Sequence, residues 1–257
     1  MGSASREALA NVTKLLASPV AEGVAIELLN VAAQLQKTPQ LATALTEQAP
    51  AEAKVALANT VFKSLTGGAR NIIATAASQR WSNVAEFISG LQALGIRAAA
   101  ATNPGLDEEL VSVANAIDTS HELELSLGSK LAEPQQKTAA VKTLFADKIS
   151  GTALAIVQHL IANPASGRPS PALREAATVA ADQAGYALAE VTVVAPLDQQ
   201  RAERLRQALS RVAGRPVKIS TVIDPTLVGG LRVKIADEII DGSVSARLND
   251  LRLQLAG

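Results

Sequence analysis

Gly229-Gly230 is the pair in this chain that most resembles a ligand-binding feature, because adjacent glycines let backbone N–H groups close around a phosphate. A phosphate loop needs Gly-x-x-x-x-Gly-Lys-Ser/Thr between a strand and a helix. Here Leu231 to Ile235 follow, and they alternate as a strand does. The pair reads instead as a tight turn or bulge in which at least one residue takes φ > 0. Gly67-Gly68 lacks the Lys-Ser/Thr as well and reads as a helix break. His121 and His159 are the only histidines, far apart and with no cysteine beside them, which falls short of the three or four ligands zinc takes. Ser120-His121 has no Gly-x-Ser-x-Gly elbow around it. His159 lies in an apolar helical run with Ile156, Leu160 and Ile161 and reads as a packed helix residue. Asp107-Glu108-Glu109 follows Asn103-Pro104-Gly105, where acids favour the positive end of a helix, and Asp237-Glu238 falls in a turn between short strands. Both read as solvated charges rather than acid-base pairs. Arg201, Arg204, Arg206, Arg211 and Arg215 form either a contact face for an acidic partner helix or the wet side of their own helix, with the wet side the default. No catalytic, cofactor-binding or metal-ligating set emerges, so the chain is expected to be no enzyme by itself and to need no cofactor.

Function must then come from surfaces, and composition bounds what those surfaces can bind. The 257 residues fit one to three domains, and 48% apolar content is enough for a sizeable core. Aromatics are only 2%: Phe62, Trp81, Phe87, Phe145 and Tyr186. Cores of Ala, Leu, Val and Ile suit closely packed helices and suit a base-stacking platform or aromatic cofactor pocket poorly. Basic and acidic residues balance at 24 each; residues 1–195 carry 14 against 17 and residues 196–257 carry 10 against 7. That asymmetry is too weak for a nucleic-acid footprint. The absence of cysteine fits a reducing compartment. The start, Met1 to Glu7, has no apolar signal core, and no apolar run reaches the ~18 residues of a membrane span. Membrane contact is expected only through a partner.

From the start to about residue 185 the period is helical, with Leu9, Val12, Leu15 and Leu16 in one apolar stripe and Ile26, Leu28, Leu29, Ala32, Ala33 and Leu35 in the next. Pro19, Pro39 and Pro50 punctuate short helices, since proline is tolerated only near a helix start. This region is written twice. At a displacement of 82 residues Val31-Ala32 falls on Val113-Ala114, Leu35 on Ile117, Thr38 on Ser120, Leu41 on Leu123 and Leu45 on Leu127. At 83, Lys54 falls on Lys137, Ala56 on Ala139, Thr60 on Thr143, Phe62 on Phe145 and Ile73 on Ile156. Alanine-rich helices can align by composition alone, but two of the three phenylalanines meeting argues for duplication. A loop at residues 163–171 precedes a last helix, about Ala172 to Ala184, stopped by Gly185.

After Gly185 the period changes. Leu188 to Val194 reads as a strand. Asp198 caps a helix with Ala202, Leu205, Leu209 and Val212 on one side, ending at Gly214. Pro216 to Val222 and Leu231 to Ile235 alternate as strands. Ser243 caps a final helix with Val244, Leu248, Leu251 and Leu255 along one face. The predicted fold is α+β, mostly α: a duplicated N-terminal helical bundle followed by a small β-α-β-β-α domain. The expected divisions are residues 1–100 for the first helical repeat, 101–185 for the second and 186–257 for the C-terminal α/β domain.

The C-terminal pattern carries a resemblance. Asp224-Pro225-x-Leu227-x-Gly229-Gly230, an alternating strand, then Ile240-Asp241-Gly242-Ser243 before a leucine-bearing helix resembles the signature of the delta subunit of F-type ATP synthases, the oligomycin-sensitivity-conferring protein family. Val191 to Leu197 is similar to that family's strand leading into Pro-Leu, and the helical region is similar in style. Two helical copies look like the longer delta subunits of actinomycete bacteria. The resemblance implies a six-helix bundle on top of the catalytic head that grips N-terminal segments of alpha subunits. It also implies a small α/β part that holds the C-terminal ends of b subunits. The chain would then be a non-catalytic peripheral-stalk (stator) subunit in ATP synthesis and hydrogen ion transport, on the cytoplasmic face of a bacterial cell membrane. Asp224, Pro225, Gly229, Gly230, Asp241, Gly242 and Ser243 are its structural signature, and Leu248, Leu251 and Leu255 are the candidates for partner binding. The competing expectation is a free-standing helical-repeat adaptor, which would share the helical half and leave the C-terminal pattern unexplained.

Overall fold

The computed structural model describes residues 1–17, 21, 23–129, 131–164, 168–224, 226–227, 229–235 and 238–241. The chain divides into two compact units, Met1–Ala180 and Ala181–Gly257. The first is helical: α1 (Ser3–Thr13) with a 3-10 turn at Lys14–Ala17, α2 (Val24–Lys37), α3 (Pro39–Thr46), α4 (Ala51–Val61), α5 (Gly67–Ser78), α6 (Val84–Thr102), α7 (Leu106–Asp118), α8 (His121–Gly128), α9 (Pro134–Phe145), α10 (Gly151–Ala162) and α11 (Pro169–Gln183). α2, α3, α4 and α5 begin at Val24, Pro39, Ala51 and Gly67, and α7, α8, α9 and α10 at Leu106, His121, Pro134 and Gly151, a displacement of 82 to 84 residues throughout.

The helices form because their apolar residues recur every three or four positions, and in four of them a side chain caps the first turn. α2 buries Val24, Leu28, Val31, Ala32 and Leu35, and α7 buries Leu106, Leu110, Val113, Ala114 and Ile117 at matching positions. Thr66, Asn83, Ser120 and Ser150 each accept a backbone N–H from three residues ahead, which closes one open donor at the starts of α5, α6, α8 and α10. α2 and α6 pack closely because Gly95 has no side chain. A Cβ there would stand 3.0 Å from Leu29 Cγ and 3.1 Å from the Ala25 carbonyl oxygen. Trp81 seals the near end of α6: its indole N–H donates to the Ala76 carbonyl at 2.8 Å and its ring meets Phe87 edge-on, centroids 5.5 Å apart.

Three details differ from the sequence expectation. Gly67-Gly68 does not break a helix but opens α5, since Thr66 caps it and first-turn N–H groups need no helical partner. α11 starts earlier than expected, at Pro169, in a stretch whose proline content reads as loop although proline suits a first turn. Of the first stripe, Val12 and Leu16 are buried while Leu15 faces outward.

The second unit is a four-stranded sheet in the order β2-β1-β3-β4, built from β1 (Ala187–Val193), β2 (Val217–Ile223), β3 (Leu231–Ile235) and β4 (Glu238–Asp241). β1 and β2 are parallel, so α12 (Gln199–Ala213) crosses between them; the β1–β3 and β3–β4 pairs are antiparallel. Asp198 caps α12 by accepting from Arg201 N–H at 2.7 Å. The core is Ala187, Ala189, Val191, Val193, Leu209, Val217 and Val233, with Leu205 and Ala213 packed against it. Leu205, Leu209 and Ala213 form the row that faces the sheet, and Val212, expected beside them, is 70% exposed because it falls one position aside. β4 adds a strand to the expected three. Its four residues are too few to show alternation, and pairing of Ile240 with Val233 and Ile239 with Lys234 supplies what its own sequence does not.

Candidate interaction surfaces

The polar contacts that tie helices together recur with the helices. Glu27 on α2 accepts from Thr66 N–H at 3.2 Å and from Thr66 Oγ1 at 2.6 Å. Its carboxylate sits at the positive end of α5, where it completes the cap. Glu109 on α7 does the same for α10, accepting from Ser150 N–H at 2.7 Å and from Ser150 Oγ at 2.7 Å. In this second clamp Asn103 takes part too, its Nδ2 donating to Glu109 Oε2 and to Ser150 Oγ, both at 2.8 Å. Lys54 and Lys137 are both 6% exposed. Lys54 Nζ donates to the carbonyl of Gln79 at the C-terminal end of α5, 3.3 Å away, and burial lowers its pKa. Sequence reading took Glu109 as a solvated charge and singled out none of Glu27, Thr66 and Ser150. At the displacement of 82 Glu27 falls on Glu109, but Thr66 meets Ser150 only at 84, one residue beyond the register the sequence offered.

Of the residues taken as solvated or packed, Asp107, Glu108 and Glu109 do occupy the first turn of α7, but Asp107 is buried. His159 is buried on α10, its Nε2 has no hydrogen-bond partner, and burial pushes its pKa down to about 4. On and just after α12 most of the arginine run meets acids of its own unit: Arg206 with Glu203, Arg201 with Asp198 at 3.1 Å and, beyond the helix end, Arg215 with Asp182 at 2.6 Å. The hydrogen bonds from Arg206 and Gln207 hold the Glu203 carboxyl down at about 2.

Of the signature residues, Asp224, Gly229 and Gly230 lie in the connection from β2 to β3. Asp224 accepts from Thr226 N–H at 2.9 Å and Oγ1 at 2.6 Å, closing a turn, and these hydrogen bonds lower its pKa. Its own N–H reaches back to the Val193 carbonyl at 2.9 Å, which anchors the turn to β1. Gly229 and Gly230 take φ of 112° and 82°, the left-handed region open to glycine. Asp241 ends β4 opposite Arg232. Pro225, Gly242, Ser243, Leu248, Leu251 and Leu255 lie outside the described residues, as does the expected last helix. Exposed aliphatic side chains among the described residues of this unit are Val194, Val212, Ile223, Ile239 and Ile240. In the helical unit, Val55, Asn59, Arg70, Asn71, Thr75 and Ser78 line an open groove between α4 and α5. Among the described residues no group of three or more His, Asp or Glu is placed to hold a metal, and no helix is long and apolar enough to cross a membrane.

Helix faces, capped ends and a small four-stranded sheet define a scaffold. A family model described as ATP synthase delta (OSCP) subunit matches residues 93–255. Among curated proteins, the chain is 38% identical to the ATP synthase subunit delta of Leifsonia xyli subsp. xyli, with all of both chains covered. It is 32% identical to that of Acidothermus cellulolyticus, again over the whole of both chains. One chain of the Toxoplasma gondii mitochondrial ATP synthase hexamer aligns with 63% of this chain and 97% of its own length, at 20% identity and a TM-score of 0.38. The chain belongs to the ATP synthase delta (OSCP) subunit family. It is therefore a non-catalytic, peripheral-stalk subunit of the ATP synthase complex. The adaptor expectation fails, because the family match runs through the sheet unit and the full-length relatives include both helical copies.

Proposed function

We propose that this subunit ties the catalytic head to the stalk, with the helical unit gripping N-terminal segments of alpha subunits and the sheet unit holding the C-terminal ends of b subunits. The division into two compact units, Met1–Ala180 and Ala181–Gly257, carries this reading, because it gives each job its own folded body. Within it, residues 1–100 and 101–185 act as the two helical repeats and 186–257 as the stalk-binding domain, and the assembly lies on the cytoplasmic face of the membrane. Stacked short helices leave grooves that accept an amphipathic partner helix, while a sheet edge or apolar helix face accepts the end of a stalk. The signature glycines and Asp224 shape the second unit, and Leu248, Leu251 and Leu255 supply its apolar contact.

A chain ending at Gly185 tests the division. It should still dock on isolated catalytic heads and fail to connect them to the membrane sector. Pull-downs with separate head and stalk preparations read both outcomes, and undiminished stalk binding would refute the assignment. The intact chain should also show no saturable binding of Mg-ATP at millimolar or lower concentration by calorimetry.

A further inference from the structure

We propose that Asn103 pins a rigid joint between the two helical copies. Its backbone closes the helix that leads out of the first copy: it is the C-cap of α6, and its N–H donates to the Ala99 carbonyl at 2.9 Å. Its side chain belongs to the second. Nδ2 donates at 2.8 Å to Glu109 on α7 and at 2.8 Å to Ser150, the N-cap of α10, while Oδ1 accepts from Gly105 N–H at 3.2 Å. One carboxamide thus fastens three helices drawn from both copies.

The duplication provides the comparison. In the first copy Glu27 clamps Thr66 in the same way, and the position matching Asn103, 82 residues earlier, is Ala21, whose methyl group forms no hydrogen bond. The clamp within each copy is therefore general, and the third member is added only where one copy must be joined to the next. The joint needs it. Only Asn103-Pro104-Gly105 separates α6 from α7, and a glycine there leaves the chain free to bend unless something else fixes the angle. Hydrogen bonds to a partly buried carboxylate are among the stronger polar contacts, and sharing them between Asn103, Glu109 and Ser150 makes them mutually supporting. α10 also packs on α2, so a fixed angle keeps a second contact between the copies in register. The inference rests on this geometry alone and not on which partner each copy holds.

The chain has no cysteine, so spin labels can be placed at Glu52→Cys on α4 and Gln135→Cys on α9, both exposed and at equivalent positions of the two copies. Double electron–electron resonance on the full chain should give a narrow distance distribution. Asn103→Ala should broaden it roughly twofold, as expected when a hinge is released. Asn103→Asp keeps the size and the acceptor for Gly105 but turns a second carboxylate toward Glu109, and it should broaden the distribution as well. Glu27→Gln breaks only the first copy's clamp and should leave the width unchanged. Helix content by circular dichroism confirms that each variant is folded, and Asn103→Asp carries the test if the alanine variant is not. An unchanged width in the folded Asn103 variants, or equal broadening by Glu27→Gln, overturns the proposal.

Discussion

At the scale of single residues, the least comfortable group is His159. Its Nε2 is buried without a partner and its pKa is held near 4, against 6.5 when free, because burial disfavours the charged ring. A base whose folded pKa is depressed stabilises the fold fully above pH 6.5. The unfolded chain takes up the proton first as pH falls, and stability drains until pH 4. The full shift corresponds to about 3 kcal/mol at this site. His159→Leu should flatten the loss, so the difference in melting temperature between variant and wild type should widen in the variant's favour from pH 7 to pH 4. Identical pH profiles would show that the ring is solvated. The sequence placed His159 on an apolar helix correctly but gave no sign of its missing partner, which depends on what α10 packs against. Glu109 was harder: an acid three residues into a helix looks like a dipole partner, and only the fold shows that it also binds Ser150.

At the scale of elements, caps and breakers were the most legible features, because their chemistry is local. Asp198 and Gly214 bound α12 where expected, and Gly185 ends the last helix of the region. β4 escaped because a four-residue strand is held by its partner more than by its own pattern. The link from β2 to β3 is where one element can be tested alone. Gly230 has φ of 82°, which a β-branched side chain resists at a cost of roughly 1–3 kcal/mol. Gly230→Val should therefore lower the stability of the sheet unit while the helical unit melts as before, measured by hydrogen exchange across both. Unchanged exchange in β1–β3 would mean the turn tolerates the strain.

At the scale of the whole molecule, the two units and the two copies were both foreshadowed, by the change of period near Gly185 and by the coincidence of Phe62 with Phe145. How one copy joins the next was not, since a hydrogen bond between residues 47 apart leaves no periodic trace. Independent units predict separable unfolding. Calorimetry of the full chain should resolve two transitions, and truncation after Gly185 should remove one and leave the other in place. A single transition that shifts as a whole on truncation would mean that the units stabilise each other.

Trp81 is the chain's single tryptophan and Tyr186 its single tyrosine, the first wedged beside Phe87 in the helical unit and the second stacked under Lys218 in the sheet unit. Light thus addresses the two bodies separately without any added dye. Indole emission excited at the red edge of its band follows events near α5 and α6, and the phenol contribution resolved in the second-derivative absorbance spectrum follows those at the start of β1. A titration with head or stalk components can be watched in two colours on the native polypeptide, each colour reporting from its own end.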